Sequence, residues 1–356
     1  MRVLAVAQAF KGSHPVCQVA DALSSGIRQA GAQPTVLHGS DGGDGLLDAL
    51  GSGLMRRTRH RTVDPLARQI DAEVGWLDPE TAVVESRLAC GLALLDAAER
   101  DPERTTSRGV GVLIDAARAA GAETVFVGLG GSATMDGGTG MARGWDWIPR
   151  AQNGEILPEG GGQLMRLTRF DEGRRPGGRL VGLADVASPL LGPDGARRFA
   201  AQKGATGDAV ERLERGLERL VAATTRWDGE AAARQAGAGA AGGLGFGLRI
   251  FAGAQVVAGA PWVLDRVGWS EAVEDAELVL IAEAAFDGTS GAGKLAGEVL
   301  RRAGERGVRA VLVAPAVDDP PRGVTVEAGK GGWWDVDELA RRTELAVRRA
   351  LRLPPP

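Results

Sequence analysis

The sequence has very little lysine, tyrosine and asparagine. Its 356 residues include four lysines against 38 arginines, no tyrosine and one asparagine, a skew typical of genome-wide compositional bias. Because arginine fills most positions that need only a positive charge, the remaining lysines are candidates for positions that require a compact ammonium group. All four lysines, Lys11, Lys203, Lys294 and Lys330, adjoin glycine.

Cysteine and long apolar runs are also scarce. The two cysteines, Cys17 and Cys90, cannot build a disulfide framework, and no metal-type Cys/His spacing occurs. We therefore expect a reducing, cytoplasmic location. No apolar run approaches the ~20 residues that cross a bilayer, and the amino terminus lacks a signal-peptide pattern, so no membrane partner is expected. The net charge of −4 with scattered arginines also argues against nucleic acid as a partner.

Glycine is abundant, with 54 of 356 residues. Short apolar runs alternate with segments of helical period near both ends of the chain, which predicts a parallel, doubly wound α/β sheet. The predicted strands are 3–7, 35–37, 124–127, 180–184, 278–282 and 310–313. The predicted helices span 109–120, 208–226, 295–303 and 336–351, with a further helix capped by Ser13.

Three segments have other patterns. Residues 56–86 alternate as in an antiparallel stretch, and residues 150–179 are typical of an irregular connection. Residues 236–247 are almost all Gly and Ala, which predicts close packing or a loop inside a domain.

Four glycine-rich loops follow predicted strands. Ligands of open α/β sheets bind at the carboxyl ends of strands, where helix amino termini offer N–H groups to anions and glycine allows close approach. The loops therefore predict an anionic ligand, most simply a phosphate. For any single loop, an ordinary tight turn is an equally good interpretation.

Two of these loops partly match nucleotide-binding motifs. Gly128, Gly130 and Ala133 have the spacing of the dinucleotide fingerprint, but no acidic residue ends a following strand. The run 288–294 has the spacing of a P-loop, but Leu295 takes the place of the magnesium-binding Ser or Thr. A nicotinamide-dependent enzyme is therefore a hypothesis that lacks its ribose-binding acid.

Carboxylates lie beside the same loops. Asp185 and Asp287 follow predicted strands, where an aspartate can hold Mg²⁺ or accept the proton of an attacking hydroxyl. For Asp41 and Asp136 helix capping is the competing interpretation.

Taken in order, these motifs resemble the bacterial glycerate kinase family of the glycolate and glucarate pathways. The matching segments are 10–13, 41–45, Thr105 and Thr106 with Gly109 and Gly111, 130–138, Asp185 with 189–190 and 192–193, 202–205, 237–245 and 283–294. The resemblance implies ATP-dependent phosphorylation of glycerate, commonly to 2-phosphoglycerate. It also implies a discontinuous flavodoxin-like α/β domain (1–75 with 283–356), a second α/β domain inserted at 76–282, and a substrate cleft between them.

The predicted site follows from the loops and this resemblance. The predicted catalytic residues are Lys11, Asp185, Asp287 and Lys294, of which Asp185 and Asp287 are also the predicted metal ligands, with ATP and Mg²⁺ as cofactors. The predicted phosphate- or substrate-binding residues are Gly12, Ser13, Asp41, Gly42, Gly43, Gly130, Gly131, Ser132, Thr134, Asp136, Lys203 and Glu283.

The chain departs from the family pattern at several of these motifs. Gln8 stands where the family usually has an aspartate, Val112 where it has a glutamate, and Ala284 and Ala285 where it has a glycine and an arginine. The alternative hypothesis is therefore a weak or inactive homologue that binds a small anion or acts as a regulator. The sequence leaves the oligomeric state open, with a homodimer as one option.

Overall fold

The structure is a computed structural model that describes residues 1–10, 13–287, 294–329, 331–332 and 334–352. Its α-helices are α1 (Val16–Gln29), α2 (Leu46–Leu50), α3 (Arg87–Cys90), α4 (Arg108–Ala119), α5 (Thr139–Ala142), α6 (Gly207–Ala223), α7 (Gly229–Arg234), α8 (Ala240–Ala252), α9 (Gly259–Arg266), α10 (Trp269–Glu274), α11 (Leu295–Glu305) and α12 (Val336–Arg352). Its strands are β1 (Arg2–Ala7), β2 (Gln33–His38), β3 (Arg56–Val63), β4 (Gln69–Asp78), β5 (Thr81–Glu85), β6 (Thr124–Leu129), β7 (Ile148–Arg150), β8 (Arg169–Asp171), β9 (Arg179–Ala184), β10 (Gln255–Ala258), β11 (Leu278–Ala282), β12 (Ala310–Ala314) and β13 (Thr325–Ala328).

The chain divides into two compact units. The outer unit combines Met1–Gly53 with Gly259–Pro356, and the inserted unit is Leu54–Ala258. These limits differ from the predicted boundaries at 75/76 and 282/283. The first boundary falls inside β4, which forms an antiparallel hairpin with β3 in the inserted unit's sheet. The second separates β11 from the loop that follows it, although β11 pairs with β1.

The outer unit contains a fully parallel sheet in the order β13-β12-β11-β1-β2. Strands β11 and β12 are buried along their whole length, as expected for parallel strands that helices cover on both faces. Side chains of α1 and α12, such as Leu23 and Val347, pack on one face, and side chains of α9 and α11, such as Leu264 and Val299, pack in the cluster on the other. This strand order is the flavodoxin-like arrangement.

The inserted unit contains a mixed sheet in the order β10-β9-β6-β5-β4-β3. Strands β5, β6, β9 and β10 are parallel, whereas β3 and β4 are antiparallel, as the alternation over 56–86 predicts. The predicted connection at 150–179 is mostly irregular, with one short antiparallel pairing between β7 and β8. The prediction of an α/β fold with parallel sheets is confirmed.

The glycine- and alanine-rich segment forms the close packing that its composition predicts. Ala241, Gly242 and Gly243 are consecutive left-handed residues at the start of α8, with φ of 52°, 69° and 88°. A Cβ atom on Gly242 would lie 1.7 Å from the carbonyl oxygen of Thr134. Only a residue without a side chain fits where this turn crosses the loop after β6.

The prediction that Ser13 caps the first helix is wrong. Helix α1 begins at Val16 with Pro15 at the N-cap and no side-chain cap. The Ser13 hydroxyl instead donates to the carbonyl oxygen of Phe10 at 3.3 Å. Pro15 has no N–H that would need an acceptor at this end of the helix.

Among the described residues, no helix combines the length and the apolar character that a membrane span requires.

Candidate functional site

In the outer unit, predicted site residues lie at a topological switch point of the sheet. Strand β2 lies on one side of β1 and β11 on the other, and ligands of open α/β sheets bind outside the strand ends at such a reversal. Gln8 follows β1 and donates a hydrogen bond from Nε2 to Oε2 of Glu283, which follows β11. This bond connects the segments that follow β1 and β11, at the position in the sheet where the strand order reverses.

The loop after β2 lies beside the start of α11. The Gly39 N–H donates to the carbonyl oxygen of Ala7 at 2.7 Å, and a Cβ atom on Gly39 would lie 2.6 Å from a methyl carbon of Leu295. Lys294, half-buried, is the N-cap of α11. The structure therefore places the start of α11, with Lys294 at its N-cap, beside the loop that follows β2.

The Asp41 carboxylate shapes its own loop. Its Oδ1 accepts a hydrogen bond from the Gly43 N–H at 3.2 Å, while the Gly42 N–H donates to the Ser40 hydroxyl at 3.2 Å. These bonds form a compact turn before α2. A contact with substrate at Asp41, Gly42 or Gly43 stays a prediction.

The segment after β11 is anchored to the loop after β12. The Phe286 N–H donates to the carbonyl oxygen of Ala316 and the Asp318 N–H to that of Phe286, both at 2.9 Å. Glu283 and Asp287, both half-buried, flank this anchor. Lys11, Gly12 and the P-loop-like residues 288–293 lie outside the described residues, so their predicted roles stay predictions.

In the inserted unit, the loop 130–134 follows the central strand β6. The Leu92 N–H donates to the Gly131 carbonyl at 2.9 Å, and the Ala133 N–H donates to the Cys90 carbonyl at 2.7 Å. The Thr105 hydroxyl donates to the Ala133 carbonyl at 2.8 Å. The loop is thus fixed through its carbonyl groups and through the N–H of Ala133.

The backbone N–H groups at the start of this loop remain available. Within the described parts of the chain, no acceptor pairs with the N–H of Gly130, Gly131 or Ser132. Gly131 has a φ of 62° and is the half-buried residue in an otherwise buried loop. Successive N–H groups in such a turn can bind an anion.

Asp185 lies next to this loop on the neighbouring strand. Leu129 pairs with Ala184 in the parallel β6–β9 register, so Gly130 and Asp185 leave the sheet at the same level. Asp185 is half-buried, and its charge acts on the buried ammonium of Lys203. The structure therefore places Gly130 and Asp185 side by side at the carboxyl ends of adjacent strands.

Asp136 is fully buried and holds local structure. Its carboxylate accepts hydrogen bonds from the Ser107 N–H and hydroxyl, both at 2.8 Å, and from the N–H groups of Gly138 and Gly140, both at 3.1 Å. Burial raises the pKa of Asp136, and these hydrogen bonds oppose that change. The N-caps of α4 and α5 are Ser107 and Gly138, so Asp136 bonds to the starts of both helices without itself being an N-cap. Binding of a ligand by Asp136 stays a prediction.

Lys203 is also buried, with 3 % of its surface exposed. Its Nζ donates to the Ser132 hydroxyl at 2.7 Å and to the Thr134 carbonyl at 2.9 Å. Burial lowers the pKa of Lys203 to about 8, although the negative charges of Asp185 and Asp136 favour the ammonium form. The predicted phosphate-binding lysine therefore contacts the loop itself.

The chemistry of the acids fits Mg²⁺ better than a transition metal. Among the described residues, no group of three or more His, Cys, Asp or Glu side chains is arranged to hold a metal ion. Magnesium needs only one or two carboxylates, because waters and phosphate oxygens complete its coordination. Asp185 and Asp287 are both half-buried, and their role as metal ligands stays a prediction.

Two residues of this region were not expected from the sequence. Ser107 bonds to Asp136, and Cys90 lies buried beneath the loop 130–134. In the sequence, the only sign of a role for Ser107 is its position two residues after Thr105. No sequence feature indicates the buried position of Cys90.

Native protein is expected to react with a thiol reagent at Cys17 and not at Cys90. Cys17 is exposed, whereas Cys90 is buried and burial raises its pKa to about 12. An exposed thiol is accessible to the reagent, whereas a buried thiol of raised pKa is neither accessible nor ionised at neutral pH. Titration with Ellman's reagent should release one equivalent of chromophore from the folded chain and two in denaturant. Fast reaction of Cys90 in native protein, checked with a Cys17→Ser variant, would contradict its buried position.

The chain matches known proteins along most of its length. A model of the glycerate kinase family matches residues 3–351. The glycerate kinase of Bacillus subtilis (strain 168) is 35 % identical over 303 residues, which cover 83 % of this chain and 79 % of that protein. The glycerate 2-kinase of Escherichia coli (strain K12) is 34 % identical over 304 residues, which cover 83 % and 80 %.

A solved structure has the same architecture. The crystal structure described as a glycerate kinase 2 from Salmonella typhimurium LT2 superposes with a TM-score of 0.77 at 30 % sequence identity. The match covers 98 % of this chain and 97 % of the other.

Proposed function

The chain belongs to the glycerate kinase family and is a kinase, and we propose that it transfers the γ-phosphoryl group of ATP to a hydroxyl of D-glycerate, with 2-phosphoglycerate as the product. The relatives named glycerate kinase favour this activity over an inactive, anion-binding homologue. We also propose that the protein acts in the cytoplasm.

The observation that carries the proposal is the loop 130–134 at the carboxyl end of β6. Three successive N–H groups, those of Gly130, Gly131 and Ser132, have no acceptor among the described residues. Backbone N–H groups fixed before the ligand arrives stabilise a phosphoryl group without reorganisation during the reaction. This arrangement supports binding of a phosphate.

Phosphoryl transfer requires positioning and charge neutralisation more than covalent catalysis. The glycerate hydroxyl attacks the γ-phosphorus, the new O–P bond forms, and the bond to the β-phosphate oxygen breaks with release of ADP. A carboxylate accepts the hydroxyl proton, and Asp185 and Asp287 are the candidates. Lys294 and Lys11 supply positive charge to the phosphates in this proposal. Asp185 and Asp287 are the predicted ligands of Mg²⁺, which when bound would supply positive charge to the phosphate oxygens.

The outer unit carries predicted site residues of its own. The Gln8–Glu283 hydrogen bond lies at the switch point, where ligands of parallel sheets bind. Glu283 carries an acceptor-only side chain when ionised, which suits the hydroxyl groups of a small hydroxy acid. We therefore propose Glu283 as a substrate-binding residue.

Purified protein is expected to release ADP from Mg·ATP in the presence of D-glycerate at about 1–100 turnovers per second, the ordinary range of kinases. A pyruvate kinase and lactate dehydrogenase couple measures ADP, and added enolase without phosphoglycerate mutase detects 2-phosphoglycerate directly. Glycolate and L-glycerate are the substrate controls, and excess EDTA is the metal control.

The outcomes separate the parts of the proposal. ADP release without an enolase signal would overturn 2-phosphoglycerate as the product and leave phosphorylation of glycerate in place. Absence of glycerate-dependent ADP release, with ATP binding retained in calorimetry, would overturn the proposed activity as a whole.

A further inference from the structure

We propose that Lys203 is a positioning residue for phosphoryl transfer, whose buried ammonium holds the loop 130–134 from behind and so fixes the N–H groups of Gly130, Gly131 and Ser132 for a phosphate. The inference rests on the proposed function, because it takes this loop as the phosphate-binding element. It assigns Lys203 a role through other residues and not a contact with the ligand.

The burial of Lys203 argues against direct binding of a phosphate. Its side chain is 3 % exposed, and two of the three Nζ hydrogens are used by the Ser132 hydroxyl and the Thr134 carbonyl, at 2.7 and 2.9 Å. Both acceptors belong to the loop 130–134. A lysine that reached out to a ligand would have to give up charge-assisted bonds inside the protein.

Lys203 completes the set of bonds that hold the loop. The Gly131 carbonyl accepts from Leu92, and Ala133 is held through both its N–H and its carbonyl. The two bonds from Lys203 hold Ser132 and Thr134. Each residue from 131 to 134 is thus fixed by at least one hydrogen bond. The N–H groups of residues 130, 131 and 132 have no acceptor among the described residues.

The charge of Lys203 also favours an anion at the loop. The charged or titratable groups that act on Lys203 are Cys90, Asp185 and Asp136. Asp136 is fully buried, so an ammonium nearby offsets its negative charge where the local dielectric constant is low. Without Lys203, the buried carboxylate would oppose the approach of a phosphate to the same loop.

The close packing around Nζ favours lysine over arginine at position 203. The ideal Cβ position of Gly242 lies 3.1 Å from Lys203 Nζ, so the backbone passes very close to the ammonium. Gly204, which ends the turn that carries Lys203, has a φ of 100° and would bring a Cβ atom 2.1 Å from the Arg100 carbonyl. The larger, planar guanidinium of arginine would need more space than the ammonium at this crossing.

The variant Lys203→Met keeps an unbranched side chain, one atom shorter than that of lysine, and removes the ammonium. We expect kcat to fall by about 10²-fold, the loss typical of a misplaced or missing preorganised donor, while KM for glycerate changes little. Hydrogen–deuterium exchange of the peptide 130–138 is expected to be faster than in the wild type. The exchange measurement needs no turnover, so it tests the positioning role even if glycerate is not the substrate.

The variant Ser132→Ala provides a second test if Lys203→Met does not fold. It keeps the charge of Lys203 and removes one acceptor of its bonds, so kcat should fall by about tenfold, as expected for a hydrogen bond to a charged group. If both residues act through one bond, the double variant should lose no more activity than Lys203→Met alone. Additive losses of kcat would overturn the proposed coupling.

Arg118→Met is the matched control for loss of a buried cation. Arg118 is half-buried in the same unit and donates to the carbonyls of Ala122 and Arg179, both at 2.8 Å, at the opposite end of β9. Its loss should lower the melting temperature and leave kcat and the exchange of 130–138 unchanged.

The proposal is overturned if Lys203→Met, or Ser132→Ala when Lys203→Met is unfolded, has wild-type kcat and wild-type exchange. Absence of activity in the wild type would instead overturn the proposed function.

Discussion

Replacing Asp185 by Asn is expected to lower kcat by about 10²–10⁴-fold, the range that a general base contributes. The amide keeps the size of the side chain but cannot take up a proton and binds Mg²⁺ poorly. Asp185 lies half-buried at the end of β9, level with Gly130 at the end of β6. The ADP-coupled assay measures the effect, and Asp287→Asn should be measured beside it.

The dependence on Mg²⁺ separates the two roles that an aspartate can have. Loss of a metal ligand raises the Mg²⁺ concentration needed for half-maximal rate, and excess Mg²⁺ then restores part of kcat. Loss of the proton acceptor lowers kcat at every Mg²⁺ concentration. Asp208→Asn, an exposed acid in the first turn of α6, is the control and should keep wild-type kcat. Wild-type kcat in Asp185→Asn would exclude Asp185 from catalysis.

Replacing Gly242 by Ala is expected to destabilise the protein by on the order of 4 kcal/mol, because left-handed strain adds to overpacking. The new Cβ atom would lie 1.7 Å from the Thr134 carbonyl, in a residue whose φ is 69°. The carbonyl is also an acceptor of Lys203. We therefore expect a lower denaturation midpoint in urea and a loop 130–134 that is displaced in the fraction that folds.

Gly154→Ala separates the two contributions. Gly154 has a φ of 84°, but a Cβ atom there would meet nothing within 4 Å. Its replacement should therefore show only the left-handed strain of about 1–2 kcal/mol. If Gly242→Ala were no more destabilising than Gly154→Ala, the close crossing at Thr134 would not be tightly packed. Urea unfolding followed by tryptophan fluorescence measures both, in a chain that has eight tryptophans and no tyrosine.

The sequence predicted the buried strands well and the packing between elements poorly. Strands such as β9 and β11 are short runs that are apolar apart from Arg179 at the start of β9, and their limits in the structure agree with those predicted or differ by one residue. Alternation predicts an antiparallel stretch over 56–86, which contains β3 and β4. The assignment of these strands to the inserted unit depends on which sheet they join, and local pattern carries no such information. The same limitation placed the domain boundary inside β4.

The sequence predicted a candidate site at the strand ends but not the contacts within it. Glycine loops after strands identified 130–134, because glycine is needed where a backbone turns tightly at a strand end. Lys203 was found through its rarity, but its burial depends on contacts with Ser132 and Thr134, some 70 residues away in the chain. Tertiary packing, and not local sequence, determines whether a lysine side chain points toward a ligand or into the protein interior.

The order of strands in the outer unit has a consequence for synthesis on the ribosome. Its first strands, β1 and β2, emerge early, but β1 pairs on its other side with β11, which follows the whole inserted unit. The inserted unit, by contrast, is continuous in sequence from Leu54 to Ala258. Since domains tend to fold as units as the chain emerges, we expect the inserted unit to complete its sheet first. Until β11 has been synthesised, one edge of β1 has no partner strand, so the sheet of the outer unit is completed last.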